Sequence, residues 1–188
     1  MRTLVVFNHV SLDGFFTDAR GDMSFAHKDP ADAEWNAFVA GNASSNGMLL
    51  FGRVTYDMMA GFWPTPMAAQ MMPEVAAGMN AMPKAVFSRT MSKAAWQNTT
   101  LLKGDLADVV RRLKAAPGPD MTILGSGSIV SQLTQLRLID AYQIVVNPVV
   151  LGRGRTMFDS VTERAPLTLT GTRAFGNGAV LLNYEPVR

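Results

Sequence analysis

The segment that decides the fold is Met121 to Ile129, which reads Met-Thr-Ile-Leu-Gly-Ser-Gly-Ser-Ile. The apolar run at its start predicts a β-strand, and the alternating glycine and serine predict a tight turn. Apolar residues then recur with helical spacing at Val130, Leu133 and Leu136, so a helix is expected to begin near Ser128. Such a turn would direct free N–H groups and the positive end of a helix dipole toward an anion such as phosphate.

The side chains of this turn leave two interpretations open. Gly125 and Gly127 lack side chains, which would let a ligand approach the main chain, and Ser126 and Ser128 add hydroxyl donors. The alternative is a strand-to-helix turn whose serines cap the helix. The choice depends on the other strand ends of the chain.

Composition limits the class of protein. The 188 residues fit a single domain, residues 1–188, and 48% hydrophobic with 17% charged residues is typical of a globular chain. The net charge of +2 carries no Lys/Arg run, so we expect no nucleic-acid partner. There are no cysteines, and the two histidines, His9 and His27, lack metal-ligand spacing, so we expect no metal site.

Targeting signals are also absent from the sequence pattern. No apolar run approaches the ~18 residues of a membrane span, and the apolar run that opens the chain is too short for a signal peptide. We therefore expect a cytoplasmic enzyme or binding domain with no membrane partner.

Strands and helices alternate along most of the chain. Asp29-Pro30 predicts a helix start, with Asp29 as the cap and Pro30 as the first helical residue. Strands are expected at 3–10, 48–51, 84–87, 99–102, 121–124 and 141–150, and helices after 53, over 73–82 and after 105. Two late strands, 167–175 and 179–184, flank the hairpin signal Gly176-Asn177-Gly178. This order predicts an α/β fold with a mostly parallel sheet and an antiparallel C-terminal edge.

Three strand ends carry similar polar residues: Gly52-Arg53-Val54-Thr55, Ser88-Arg89-Thr90 and Gly125-Ser126-Gly127-Ser128. Ligands of open parallel sheets bind outside the carboxyl ends of the strands. If these ends are neighbours, they offer two guanidinium groups, several hydroxyls and helix N-termini to one phosphorylated cofactor. Taken singly, Arg53 and Arg89 could be solvated surface charges. A P-loop and a nucleophile elbow are both missing, and a Rossmann turn would come earlier in the chain.

The order of motifs resembles the dihydrofolate reductase-like superfamily, and within it the reductase domain of the bifunctional riboflavin-biosynthesis deaminase/reductase and its stand-alone relatives. The motifs that carry the resemblance are Ser11-Leu12-Asp13-Gly14, Phe51 to Tyr56, Val86 to Thr90, Ile123 to Gly127 and Asn147 to Gly154. The resemblance covers nearly the whole chain. It implies a three-layer fold in which helices flank a central, mostly parallel eight-stranded sheet.

The resemblance also implies NADPH as the cofactor. The residues that match cofactor-binding segments of the family are Gly52, Arg53, Thr55, Ser88, Arg89, Thr90, Gly125, Ser126, Gly127, Ser128 and Ile129. The segment 88–90 matches the one that receives the adenosine 2′-phosphate, and 125–129 matches the turn around the pyrophosphate. A 2′-phosphate near Arg53 and Arg89 would favour NADPH over NADH.

Candidates for the reacting end are Asp13, Asp32 and Trp35. Asp13 matches the acidic residue of the family's Ser-Leu-Asp-Gly motif and could supply a proton, or it could serve only as a turn residue. Asp32 and Trp35 match an Asp-x-x-Trp pattern of dihydrofolate reductases. The pattern fits a helix-start acid and a core aromatic residue better.

The chain also departs from the riboflavin enzyme, because it has no cysteine and hence no zinc deaminase signature. Its segments 15–28 and 63–72 are rich in Phe, Met and Trp, which could line a pocket for a planar, apolar substrate. We therefore predict an NADPH-dependent reductase of a small heterocycle, such as a pteridine or a pyrimidine. The alternatives are dihydrofolate reductase itself and a non-catalytic NADPH-binding or sensor protein. A homodimer is a further expectation.

Overall fold

A computed structural model describes residues 1–187. The strands are β1 (Leu4–Ser11), β2 (Thr17–Asp18), β3 (Met48–Gly52), β4 (Lys84–Phe87), β5 (Thr99–Leu102), β6 (Met121–Leu124), β7 (Ala141–Asn147), β8 (Gly154–Arg155), β9 (Leu167–Ala174) and β10 (Val180–Pro186). The helices are α1 (Ala33–Ala43), α2 (Arg53–Phe62), α3 (Pro66–Met71), α4 (Pro73–Ala81), α5 (Leu106–Ala115) and α6 (Gly127–Gln135), with a 3₁₀ turn at Ser24–Ala26.

Eight strands form one sheet in the order β5-β4-β3-β6-β1-β7-β10-β9. The pairs from β5 to β7 are all parallel, and β10 runs antiparallel to both β7 and β9. The expected α/β fold, with a mostly parallel eight-stranded sheet and an antiparallel edge, is confirmed. β2 and β8 form a separate two-stranded ribbon, for which no strand was predicted.

Adjacent side chains of a strand point to opposite faces of the sheet, and in these strands both are apolar. Helices therefore cover both faces. Leu50 packs with Val110 of α5 and Val130 of α6 on one face. The next side chain, Phe51, packs with Tyr56 of α2 on the other face. Burying one such side chain contributes about 1.5–3 kcal/mol, so two-sided coverage makes these short apolar strands stable.

Most of the expected boundaries lie within two residues of the observed ones, but the start of α1 and the end of β7 differ by three. The first helix begins at Ala33, and its N-cap is Asp32, whose carboxylate accepts the Trp35 N–H at 2.9 Å. Asp29 instead closes a turn, accepting the Ala31 N–H at 2.8 Å. Strand β7 ends at Asn147 rather than 150, because Pro148 follows and has no N–H to donate to a neighbouring strand.

A short helix, α3, lies within a segment for which no helix was predicted. Thr65 caps it by accepting the Ala68 N–H at 3.2 Å, and Pro66 is its first residue. Thr-Pro is a regular helix-start signal, but six residues are too few to show a helical apolar period. The predicted hairpin is confirmed, with Gly178 at φ 83° donating its N–H to Phe175 O.

Lys84, at the start of β4, is a buried cation whose ammonium donates to carbonyls at the C-terminal end of α4. It is 1% exposed, and its ammonium donates to the carbonyls of Met79 (2.8 Å), Asn80 (3.2 Å) and Met82 (2.6 Å). The ammonium also lies 4.5 Å from the centroid of the Trp96 ring. Burial lowers the pKa of Lys84 from 10.5 to about 8.

Replacing Lys84 with Met is expected to destabilise the protein by about 1–3 kcal/mol, since buried carbonyls lose their donor. Urea unfolding measures this, with Lys93→Met on an exposed loop as the control. Because the folded-state pKa lies below the unfolded value, wild-type stability should rise relative to Lys84→Met between about pH 8 and 10.5. A constant difference across that range would contradict the assignment.

Candidate functional site

The three polar strand ends lie side by side, because β4, β3 and β6 are consecutive in the sheet. Gly52 is in register with Phe87, the residue before Ser88. The Gly52 N–H donates to Ser126 Oγ at 2.8 Å, and the Ser126 N–H donates to Thr55 Oγ1 at 3.0 Å. Direct hydrogen bonds therefore join the first and third motifs.

The glycine turn has a left-handed backbone at two successive residues. Gly125 has φ 56°, and Ser126 has φ 59° and ψ 45°. The side-chain amide of Asn8 in β1 brackets this turn: Asn8 Oδ1 accepts the Gly125 N–H at 2.6 Å, and Asn8 Nδ2 donates to Gly125 O at 3.0 Å. The strained turn is thus held by a buried side chain from the neighbouring strand.

Protein atoms fill the space beside both glycines, in contrast to the approach route expected for a ligand. A Cβ on Gly125 would lie 2.8 Å from Thr55 Oγ1, and one on Gly127 would lie 2.9 Å from the Phe16 ring. Helix α6 begins at Gly127, one residue before Ser128. The side chain of Ser126 does not cap the helix, because its hydroxyl donates instead to Leu124 O at 2.9 Å.

Donors remain available at the start of α6. The N–H groups of Gly127 and Ser128 form no hydrogen bond within residues 1–187, and the Ser128 side chain is exposed. Ile129 is buried beside Gly52, so it shapes the turn by packing. The exposed end of this helix offers N–H groups and a positive dipole to an anion.

Arg53, at the end of β3, is hydrogen-bonded to the turn that follows β4. Arg53 Nη1 donates to Thr90 Oγ1 at 2.9 Å, and Arg53 Nε lies 3.4 Å from Asp57 Oδ2. Ser88 Oγ accepts the Thr90 N–H at 3.3 Å, which fixes the turn after β4. Arg89 is exposed on the same turn, so two guanidinium groups flank the carboxyl ends of β3 and β4.

Asp13 joins two loops. Its carboxylate accepts hydrogen bonds from Ser11 Oγ (2.6 Å) and from the backbone N–H groups of Leu151 (3.1 Å) and Gly152 (2.7 Å). The Ser11 hydrogen bond holds the pKa of the Asp13 carboxyl below its usual value, and the two N–H donors act in the same direction. The group is therefore ionised at neutral pH, an arrangement that favours the turn interpretation over proton donation.

Asp32 and Trp35 lie at the start of α1, beside the β9–β10 hairpin. The second carboxylate oxygen of Asp32 accepts Asn177 Nδ2 at 2.7 Å, which ties α1 to the β9–β10 hairpin. The Trp35 N–H, followed by the Asn177 amide, lowers the pKa of Asp32. Trp35 is 6% exposed and packs edge-on against Phe175 at 5.0 Å between ring centroids.

Four residues of this region were given no role in the site from the sequence: Asn8, His9, Lys28 and Asn147. Lys28 Nζ donates to Asn147 Oδ1 at 2.6 Å. Burial lowers the pKa of His9 from 6.5 to about 4, and the charge of Lys28 adds to that change. A polar residue within an apolar strand was an available signal for Asn8 and Asn147, whereas nothing local distinguishes Lys28.

Two of the methionines suggested as pocket residues lie on the surface of α3, where Met67 is 61% and Met71 is 60% exposed. Within residues 1–187, no three His, Asp or Glu side chains come close enough to hold a metal ion. No helix in that same range is long and apolar enough to cross a membrane.

The sheet order and the site at its carboxyl edge define a protein of the dihydrofolate reductase-like fold. Dihydrofolate reductase from Enterococcus faecalis, solved with NADP(H) and RAB-propyl, superposes with a TM-score of 0.62 at 12% identity, over 99% of this chain and 97% of the other. A family model described as the RibD C-terminal domain matches residues 2–181. The chain belongs to the RibD C-terminal domain family, and the resemblance drawn from the motifs is confirmed.

Other relatives agree with this membership. A provisionally named riboflavin biosynthesis protein from Shewanella sp. PV-4 has a TM-score of 0.76 at 22% identity, covering 99% of both chains. The deaminase/5-amino-6-(5-phosphoribosylamino)uracil reductase of Thermotoga maritima has a TM-score of 0.64 at 13% identity, over 99% of this chain and 57% of that one. The uncharacterised protein YyaP of Bacillus subtilis is 28% identical over 184 residues, 98% of this chain and 95% of its own length. Membership of this reductase-like family supports an oxidoreductase.

Replacing Gly125 with Ala tests the turn. The new methyl group would collide with Thr55, so we expect a loss of about 1–3 kcal/mol beyond that of Gly104→Ala. Gly104 is the matched control, because it also has positive φ (100°) but no atom within 4 Å of an added Cβ. Urea unfolding of both variants measures the difference, and equal losses would show that the contact with Thr55 is unimportant.

Replacing Asp13 with Asn should loosen the loop at 151–154, because an amide cannot accept from all three donors. We expect trypsin to cleave after the exposed Arg153 faster than in wild type, as measured by mass spectrometry of timed digests. Asp22→Asn, which removes an exposed carboxylate from a different loop, is the control. An unchanged cleavage rate in Asp13→Asn would mean that Asp13 does not hold this loop.

Proposed function

We propose that this protein is an NADPH-dependent reductase of a small heterocyclic substrate. The observation that carries the proposal is the adjacency of the three strand ends, with Arg53 hydrogen-bonded to Thr90 across two of them. The dihydrofolate reductase fold neighbour solved with NADP(H) adds support at the level of the fold.

The donors present suit a phosphorylated cofactor. Arg53 and Arg89 provide guanidinium groups, Ser88 and Thr90 provide hydroxyls, and the start of α6 provides backbone N–H groups. Phosphate oxygens accept hydrogen bonds, and charge-assisted bonds from Arg are among the strongest. In this proposal, the 52–55 segment lies beside the cofactor's phosphates, the 88–90 segment receives the adenosine 2′-phosphate, and the 125–129 turn holds the pyrophosphate. Bound NADPH would supply the hydride.

The substrate side is assigned to the neighbouring ends of β1 and β7. Asp13 fixes the loop at 151–154 there, and Asp32 fixes the start of α1, so both carboxylates position backbone. Reduction of dihydrofolate, and NADPH binding without turnover, are the two alternatives. An assay of NADPH oxidation with dihydrofolate addresses the first, and binding without oxidation of NADPH by any acceptor would favour the second.

A homodimer is also proposed. Strand β9 is an edge strand on which seven of eight residues are exposed, including Leu167 and Leu169. An edge of this kind exposes unpaired backbone groups that a second chain can pair with. Light scattering of the purified protein gives the number of subunits.

Calorimetric titration with NADPH and NADH tests the cofactor. Wild type should bind NADPH at least about tenfold more tightly than NADH, a difference of about 1.4 kcal/mol. Arg89→Ala and Arg53→Ala should lose NADPH affinity much more than NADH affinity, because only NADPH carries the 2′-phosphate. Arg164→Ala, an exposed arginine on another loop, is the control. Equal losses for both nucleotides would contradict the 2′-phosphate assignment.

A further inference from the structure

Lys28 occupies a fixed position at the carboxyl ends of β1 and β7. Its ammonium donates to Asn147 Oδ1 at 2.6 Å and lies 5.6 Å from the centroid of the Trp35 ring. Asn147 ends β7 and is itself held, because its amide donates to Val10 O at 2.9 Å and Val145 O at 3.3 Å. The Lys28 ammonium is therefore held in position by the residue that ends β7 and by an aromatic ring of α1.

The Lys28 ammonium has unused hydrogen-bond donors. It can donate three hydrogen bonds, but within residues 1–187 it makes the one to Asn147 and has no carboxylate within 4.0 Å. Partial burial lowers the pKa of Lys28, and the charge of Asp32 opposes that change. A cation that is partly desolvated without an ion pair is costly, and such groups concentrate at functional sites.

Two titratable groups near Lys28, Asp32 and His9, are poor proton donors at neutral pH. Asp32, which caps the adjoining helix, has a lowered pKa and uses both oxygens as acceptors. His9 on β1 has a pKa of about 4 and is neutral, with its Nδ1 3.5 Å from Asn147 Nδ2. His27, the residue before Lys28, is exposed to solvent. Lys28 is thus the side chain of this group that keeps unused N–H donors.

The position also suits contact with a reacting substrate. Strand β1 lies between β6, whose end carries the glycine turn, and β7, which ends at Asn147. Gly125 is hydrogen-bonded to Asn8 of β1, whereas Asn147 of β7 pairs with Ser11, so Lys28 is anchored on the far side of β1 and three residues nearer the carboxyl edge than the turn proposed to hold the pyrophosphate. Trp35, which is 6% exposed, contacts this ammonium from within the core and so helps to fix its position.

We propose that Lys28 contacts the substrate and protonates it, and that the substrate is a planar heterocycle with a C=O or C=N group directed at this ammonium. This inference rests on the proposed function. The hydride comes from NADPH and bonds to the carbon as the π bond breaks. The oxygen or nitrogen takes a proton from Lys28, and the neutral amine then regains a proton from water.

Lys28→Met and Lys28→Arg separate hydrogen bonding from proton transfer. Both should bind NADPH within about twofold of wild type in calorimetry. With dihydrofolate or 5-amino-6-(5-phosphoribosylamino)uracil as acceptor, Lys28→Met should lower kcat at least about 100-fold and raise KM. Lys28→Arg should keep KM but lose kcat, since a guanidinium donates hydrogen bonds without releasing its proton. Wild-type kcat should fall as pH rises through the lysine's pKa.

Two variants serve as controls. Arg164→Met removes an exposed positive charge elsewhere and should retain activity. His27→Gln tests the neighbouring solvent-exposed group, and loss of kcat in this variant with normal kcat in Lys28→Met would overturn the proposal.

A readout independent of turnover is competitive labelling with trace acetic anhydride, which reacts with unprotonated amines and is quantified for each lysine by mass spectrometry. NADPH together with folate, or with the uracil compound, should slow acetylation of Lys28 at least about fivefold and leave Lys93 unchanged. If NADPH binds but none of these ligands protects Lys28, the proposal is wrong and the proposed function stands. If wild type does not bind NADPH, both are wrong.

Discussion

The rest of the site depends on a left-handed turn at Gly125 and Ser126. A left-handed conformation costs a residue such as Ser126 about 1–2 kcal/mol, and the amide of Asn8 holds the turn in place by bonding to both backbone groups of the preceding Gly125. The same turn carries the Ser126 hydroxyl to Gly52 and the Ser126 N–H to Thr55. Where α6 begins, and which of its N–H groups stay free, follow from this one hydrogen-bonded junction.

Much of the fold could be predicted from the sequence, because the spacing of apolar residues and the turn-forming residues that follow them indicate the same elements. The strands at 84–87, 99–102 and 121–124 are short apolar runs with clear stops, and the helix capped by Asp105 has apolar residues at regular spacing. The errors arose where signals competed. Asp29-Pro30 resembles a helix start as closely as Asp32 does, and only the accepted Trp35 N–H distinguishes them. The apolar run after Asn147 continues, although Pro148 ends the pairing.

The site was predictable to the extent that it is local in sequence. Three strand ends with glycine, arginine and hydroxyl residues could be recognised before the strand order was known, since parallel strands direct these ends to one edge. The roles of individual side chains could not be predicted from the sequence. Asp13 meets Leu151 and Gly152, and Lys28 meets Asn147, across more than a hundred residues of chain. A turn aspartate that holds a distant loop has the same local pattern as one that holds only its own turn.

The position of β1 has a consequence for how the chain acquires this structure. β1 is synthesised before both of its partner strands, β6 and β7, and it lies between them, where Leu4 pairs with Met121 and Val5 with Ala141. Its apolar residues therefore have no partner strand until most of the chain has left the ribosome. Such long-range pairing slows folding and leaves an apolar strand exposed until its partner strands are made. During synthesis, β1 is thus the kind of unpaired apolar segment that makes an unfinished chain prone to aggregate.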